Sequence, residues 1–178
     1  MDDPLGESRP QPRRKFPCTL ARMPRFEIVT TIAAPAALCF DAARDIDLHV
    51  ASFAHMGERA VAGTTSGLIG LGETVTWRAR HLGVVQHFTS KITAFDPPRY
   101  FQDSMVKGAF RSFVHDHRFE ESDGRTIMRD VVEFSSPGGV LGRIVDALFL
   151  RRYLERLIAG RAEVLRRAVE RGQRERSA

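Results

Sequence analysis

The chain has 178 residues, 43% of them hydrophobic and 28% charged, with a formal net charge of +5. That length supports one domain rather than two, and the apolar content excludes a disordered chain. The positive side chains gather at the ends, in Arg9, Arg13, Arg14 and Lys15 and between Arg151 and Arg176. No helix-turn-helix, zinc-finger or RNP-type pattern accompanies them, so they read as a solvated surface and no nucleic-acid partner is expected.

Residues 1–23 read as a disordered leader, Pro- and Arg-rich with no apolar stretch of signal-peptide length. Met23, directly ahead of the first strand, reads as an alternative start. The two cysteines, Cys18 and Cys39, fit neither a disulfide framework nor a metal spacing, which makes a reducing cytoplasm the expected setting. Phe26 to Ala33 alternates and is rich in β-branched residues, the pattern of a strand. Ala34-Pro35 stops it, and Pro35 suits the first turn of a short helix over Ala36 to Ala43. Asp45 can cap a second short helix running through Leu48 to Phe53.

Gly63 to Gly72 is dense in glycine and reads as a flexible loop at the entrance of a pocket; it lacks the Gly-Lys-Ser/Thr ending of a phosphate loop. Five strand-like runs follow, Glu73 to His81, Val84 to Phe95, Tyr100 to Lys107, Phe110 to Glu120 and Thr126 to Phe134. Short polar turns separate them, which predicts an antiparallel meander. Val140 to Arg171 carries apolar residues at helical spacing, among them Leu148, Leu154, Ile158, Leu165 and Val169, and predicts one long amphipathic helix. Residues 172–178 read as a disordered tail. No run is long and apolar enough to span a membrane. Transient contact of the basic helix with a membrane surface remains open, without stable insertion.

A bent sheet with an apolar concave face must be covered, and the last helix is long enough to cross it. The expected fold is therefore α+β, a curved antiparallel β-sheet wrapped around a long C-terminal α-helix, with two short helices after the first strand. Curvature holds the sheet's centre away from the helix and leaves a cavity.

Period-2 alternation assigns the faces. Phe113, His115, His117 and Phe119 share one face of their strand, opposite a mostly charged one. Met128, Asp130 and Phe134 share a face of the next strand, and Phe101, Asp103 and Met105 of an earlier one. Trp77 and His81 share a face with Val75 and Ala79, leaving Arg78 and Arg80 on the convex side. With Leu148 from the helix, these inward residues are the candidate ligand-binding set. If the two strands pair as a hairpin, Asp130 comes near His115 or His117. A carboxylate beside imidazole raises its pKa and fixes its tautomer, so His115, His117 and Asp130 are the candidates for acid-base catalysis, with Asp103 able to join them. The plainer reading is a satisfied polar cluster that shapes the pocket. His-x-His with a carboxylate also offers metal donors, but the spacing is a weak indication, and neither metal nor cofactor is expected.

The order of elements, with the residues that fill it, resembles the START-like (SRPBCC, Bet v 1-like) superfamily, in particular its bacterial polyketide cyclase/dehydrase-like branch. The matching stretches are Phe26–Pro35 (FEIVTTIAAP), Gly67–Gly72 (GLIGLG), Val75–His81 (VTWRARH), Ile92–Phe101 (ITAFDPPRYF), Phe113–Glu120 (FVHDHRFE) and Asp130–Gly142 (DVVEFSSPGGVLG). Together they place one domain over residues 24–171. The resemblance implies a helix-grip fold with a hydrophobic tunnel, in a superfamily whose members include lipid carriers, hormone receptors, aromatase/cyclases and oxygenase domains. It does not imply one activity. The cysteine–histidine ligands of a Rieske cluster are absent. The first expectation is binding, transport or sequestration of a small hydrophobic molecule such as a lipid or polyketide-like compound. A cyclase/dehydratase-type enzyme is the alternative, and a protein-interaction module in stress response or cell division is the second.

Overall fold

The computed structural model describes residues 24–81, 83–138 and 149–177. The leader with Cys18, and the part of the last helix expected over 140–148, including Leu148, lie outside the described residues. The strands are β1 (Arg25–Ile32), β2 (Arg59–Gly63), β3 (Thr74–His81), β4 (Val84–Asp96), β5 (Tyr100–Lys107), β6 (Ser112–Ser122) and β7 (Arg125–Ser135). The helices are α1 (Ala36–Ala43), α2 (Ile46–Ser52) and α3 (Arg151–Ser177), with a 3-10 turn at Ala54–Met56.

All seven strands form one antiparallel sheet in the order β1-β7-β6-β5-β4-β3-β2. The chain meanders from β2 to β7 and closes by laying β1 against β7. Register shifts in β2 and β4 mark places where a strand bends, because an extra residue on one strand increases its local twist. The result is the expected curved sheet with α3 on its concave side and α1 and α2 at one end.

The sheet has one strand more than the alternation predicts. β2 is short, exposed along most of its length and at the sheet edge, so it carries no inward apolar stripe. It ends at Gly63, whose φ is +75° and where an added Cβ would press on the Thr74 carbonyl oxygen. The expected flexible glycine loop is also tied down. Ile46 N–H donates to the Gly67 carbonyl at 2.9 Å, Ile69 N–H to Arg44 O at 3.2 Å, and Gly67 N–H to Asp47 Oδ2 at 2.9 Å. Ile69 is buried beneath it.

Both short helices are held at their N-termini. The Asp45 carboxylate accepts from Asp47 N–H at 2.8 Å and Leu48 N–H at 3.1 Å, the capping role expected of it, so α2 begins at Ile46. Pro35 gives α1 no side-chain cap; Glu121 of β6 accepts from Ala36 N–H at 2.7 Å instead. α3 continues through Ser177, past the Arg171 boundary beyond which a disordered tail was expected. Gln173, Arg174, Glu175 and Arg176 near its end are straight-chain helix formers that need no apolar face to stay helical when the preceding turns are docked.

Two apolar clusters fill the space between sheet and helices. One joins Ile32, Phe40, Phe101, Phe119, Met128, Leu165 and Val169. The other joins Phe26, Phe113, Val132, Phe134, Leu154 and Ile158. Phe40 of α1 meets Phe95, Phe101 and Phe119 edge-on at 5.3–5.6 Å, the arrangement that the ring quadrupole favours.

Candidate functional site

Walls drawn from both clusters line a cavity of about 220 Å³. Its apolar lining includes Val75, Trp77, Ala79, Phe88, Ile92, Phe101, Phe113, Leu154, Leu157 and Ile158. His87 and Ala109 are exposed residues among its lining.

The polar centre of the site follows from strand register. Asp103 is opposite His115 across β5 and β6, and His117 is opposite Asp130 across β6 and β7. Directly opposite residues bring their Cβ atoms to about 5 Å, and their diagonal neighbours follow. All four side chains therefore meet on the concave face. His115 Nε2 and Asp130 Oδ1 are hydrogen bonded at 3.1 Å, as are His117 Nε2 and Asp103 Oδ2 at 3.1 Å. His117 Nδ1 lies 2.7 Å from Asp130 Oδ1 but out of line for a hydrogen bond, so charge rather than a directed bond connects them. His115 Nδ1 stands 3.8 Å from Asp103 Oδ2. Phe101 stacks on the His117 ring at 4.2 Å.

Burial and charge divide the two histidines. Burial lowers the His115 pKa and the positive charge of His117 lowers it further, against the pull of the carboxylates. Burial opposes ionisation of His117 too, but its bond to Asp103 and its close charge contact with Asp130 outweigh it and raise its pKa. Burial alone would push both carboxyls up; the imidazoles hold Asp103 and Asp130 below the usual carboxylate range, and Arg161 adds to this at Asp103. The surroundings thus favour a proton on His117, between two carboxylates, over one on His115. Asp103, His115 and His117 face the cavity; Asp130 sits behind them, 1% exposed. Such a set can accept a hydrogen bond from a ligand hydroxyl, donate one to a carbonyl, or move a proton at Asp103.

A second polar group lies in the same cavity. His49 of α2 stacks on Trp77 at 4.0 Å and approaches Glu58 at 2.7 Å. His81 bonds Tyr153 Oη at 2.8 Å. Arg161 of α3 is buried, donates to the Ala43 carbonyl and lines the cavity. Of these, only Trp77 and His81 are among the inward residues that alternation selects. Arg161 had a signal: it falls at helical spacing between Leu154, Ile158, Leu165 and Val169, on the apolar face rather than with the solvated arginines. His49 stands in a helix of seven residues and Glu58 between elements, both stretches too short to show a period that orients them.

Of the candidate ligand-binding residues, Trp77, His81, Phe101, Asp103, Phe113, His115 and His117 line the cavity. Asp130 does not line it and instead contacts His115 and His117 from behind. Met105, Phe119, Met128 and Phe134 share the inward face but do not line the cavity, because that face extends beyond it. Phe119 and Met128 pack in the cluster with α1, Phe134 is buried in the other, and Met105 packs against the latter. Arg78 and Arg80 are exposed on the convex face, as alternation places them.

A curved antiparallel sheet gripping a long C-terminal helix around such a cavity is the helix-grip fold of the START-like, Bet v 1-like superfamily. The chain belongs to the family described as "Polyketide cyclase / dehydrase and lipid transport", whose model matches residues 23–170. Solved structures share the fold. The Thermus thermophilus protein TTHA0849 has a TM-score of 0.67 at 14% identity, over 82% of this chain and 97% of its own. Ara h 8.0201 has a TM-score of 0.62 at 18% identity, over 83% and 97%. The ZhuI aromatase/cyclase of Streptomyces sp. R1128 has a TM-score of 0.60 at 19% identity, over 83% and 96%. No curated protein sequence matches the chain. Family and fold together support a role in binding or processing a small ligand. Among the described residues, no helix is long and apolar enough to cross a membrane.

Proposed function

We propose that the protein binds a small hydrophobic molecule in this cavity, with one oxygen-bearing group of the ligand turned toward Asp103 and His115. The observation that carries the reading is the grouping of polar side chains within an otherwise apolar enclosure. Apolar walls supply affinity and a few fixed polar groups supply orientation. Burying ~200 Å² of ligand hydrocarbon would contribute about 5 kcal/mol before the costs of immobilising it. Aromatase/cyclase neighbours and the lipid-transport part of the family description support a polyketide-like or lipid ligand class.

The test is a thermal-shift screen of a lipophilic library containing fatty acids, isoprenoids and aromatic polyketides, run beside Ala79→Phe. Ala79 is buried in the cavity wall, so the larger ring fills ligand space. A ligand at 100 times its Kd stabilises the fold by about 2.7 kcal/mol. The expected result is a shift for wild type that Ala79→Phe loses while it still melts cooperatively. Equal shifts in both proteins would place binding elsewhere, and no shift across the library would contradict the proposal. Conversion of a hit to a new product would extend binding to processing.

A further inference from the structure

Each imidazole of the buried tetrad presents one nitrogen to Asp130 and the other to Asp103. Asp130 Oδ1 is 3.1 Å from His115 Nε2 and 2.7 Å from His117 Nδ1. Asp103 Oδ2 is 3.1 Å from His117 Nε2 and 3.8 Å from His115 Nδ1. Asp130 thus holds the far sides of both rings, and the remaining nitrogens converge with Asp103 at the cavity wall. One donor atom from each of Asp103, His115 and His117 lies within 4.8 Å of the other two. Three donors held at 2.0–2.2 Å by a tetrahedral ion stand about 3.3–3.6 Å apart. The 3.1 and 3.8 Å separations from Asp103 bracket that spacing.

We propose that Asp103, His115 and His117 bind one divalent first-row transition ion of the Zn(II) or Fe(II) class, with Asp130 as the carboxylate that orients both imidazoles from behind. Two imidazoles and one carboxylate suit those ions better than Ca²⁺ or Mg²⁺, which prefer all-oxygen shells. A carboxylate on the far nitrogen of a metal-bound histidine fixes its tautomer and raises its basicity; here Asp130 bonds the far nitrogen of His115 and stands 2.7 Å from that of His117. Charge agrees. With both imidazoles neutral, the two carboxylates carry two negative charges, which a divalent ion cancels. Arg161 is the opposing influence, a cation whose charge reaches Asp103. Three protein donors leave coordination positions open, and since all three residues line the cavity, water or a ligand oxygen completes the shell from that side. The ion site needs no ligand in the cavity, so its failure would leave the hydrophobic-binding reading standing.

The test uses the full chain, stripped with a chelator and titrated with Co(II) alone, followed by its visible d–d absorption, then with Zn(II) by calorimetry. Wild type is compared with Asp103→Asn, which keeps the side-chain shape. Should that variant fail to melt cooperatively, His115→Gln takes its place. The expected result is one equivalent of Co(II) in a low-symmetry site, displaced by Zn(II), with affinity reduced about 10- to 100-fold or more in the variant. Absence of a stoichiometric site in folded wild type would overturn the proposal. Undiminished binding in the variant would do the same, assigning the ion to exposed histidines such as His55 or His87.

Discussion

Asp130 is almost fully enclosed, and among the described residues its ion-pair partners are the two imidazoles. Removing one partner of a buried charged set costs about 3–5 kcal/mol, because the others are left uncompensated. Asp130→Asn should therefore lower stability by that order in urea denaturation of the metal-free protein; a loss within experimental error would mean that the tetrad carries no charge in the folded state. His49 gives a second residue-scale prediction. Its ordinary value is 6.5, and enclosure in the cavity wall lowers it, with Glu58 pulling the other way and Arg161 adding to the fall. The unfolded chain then binds the proton more readily than the folded one, so this contribution is complete above about pH 6.5 and is lost as pH falls toward the folded value. His117, raised, contributes in the opposite sense: its share is complete below pH 6.5 and lost as pH rises through its folded pKa. The difference between wild type and His49→Gln isolates the first effect. The variant's stability should fall less than wild type's between pH 7 and pH 5, and parallel curves would contradict it.

At the scale of elements, α1 is a plug for one end of the sheet. Phe40, 2% exposed, meets three phenylalanines from β4, β5 and β6. Phe40→Ala should cost about 3–5 kcal/mol in thermal or chemical unfolding, and a loss below 1 kcal/mol would show that the end of the sheet closes without it. The strands β3 to β7 are legible in the sequence because each carries an inward apolar stripe bounded by turn residues. β2 is not, since an exposed edge strand has no face to reveal. The meeting of His117 with Asp130 follows from hairpin register, and the sequence shows both partners on inward faces. It does not reveal which inward residues end in the cavity and which end in the core. Phe119 and Met128 alternate as Phe113 and His115 do, and only the docking of α1 separates them. Arg161 was readable by helical spacing but lay hidden among many solvated arginines.

For the whole molecule, the sheet's curvature and the crossing of α3 leave an enclosure that neither apolar cluster fills. His115, His117 and Asp103 enter its wall from β5 and β6, and Arg161, Leu154 and Ile158 from the helix. Strand register is a rigid mount for the first set, whereas the second depends on how α3 docks. A ligand contacting both would couple helix and sheet and raise the cooperativity of unfolding together with the midpoint. The most direct measurement of the central claim is native mass spectrometry of the purified full-length protein, with solvent extraction of whatever accompanies it and Ala79→Phe in parallel. The prediction is a stoichiometric lipophilic adduct on wild type, gained from the expression host or from an added library, and absent from the filled variant. A wild-type chain that stays bare under both conditions, or an adduct that Ala79→Phe retains in full, would contradict the account.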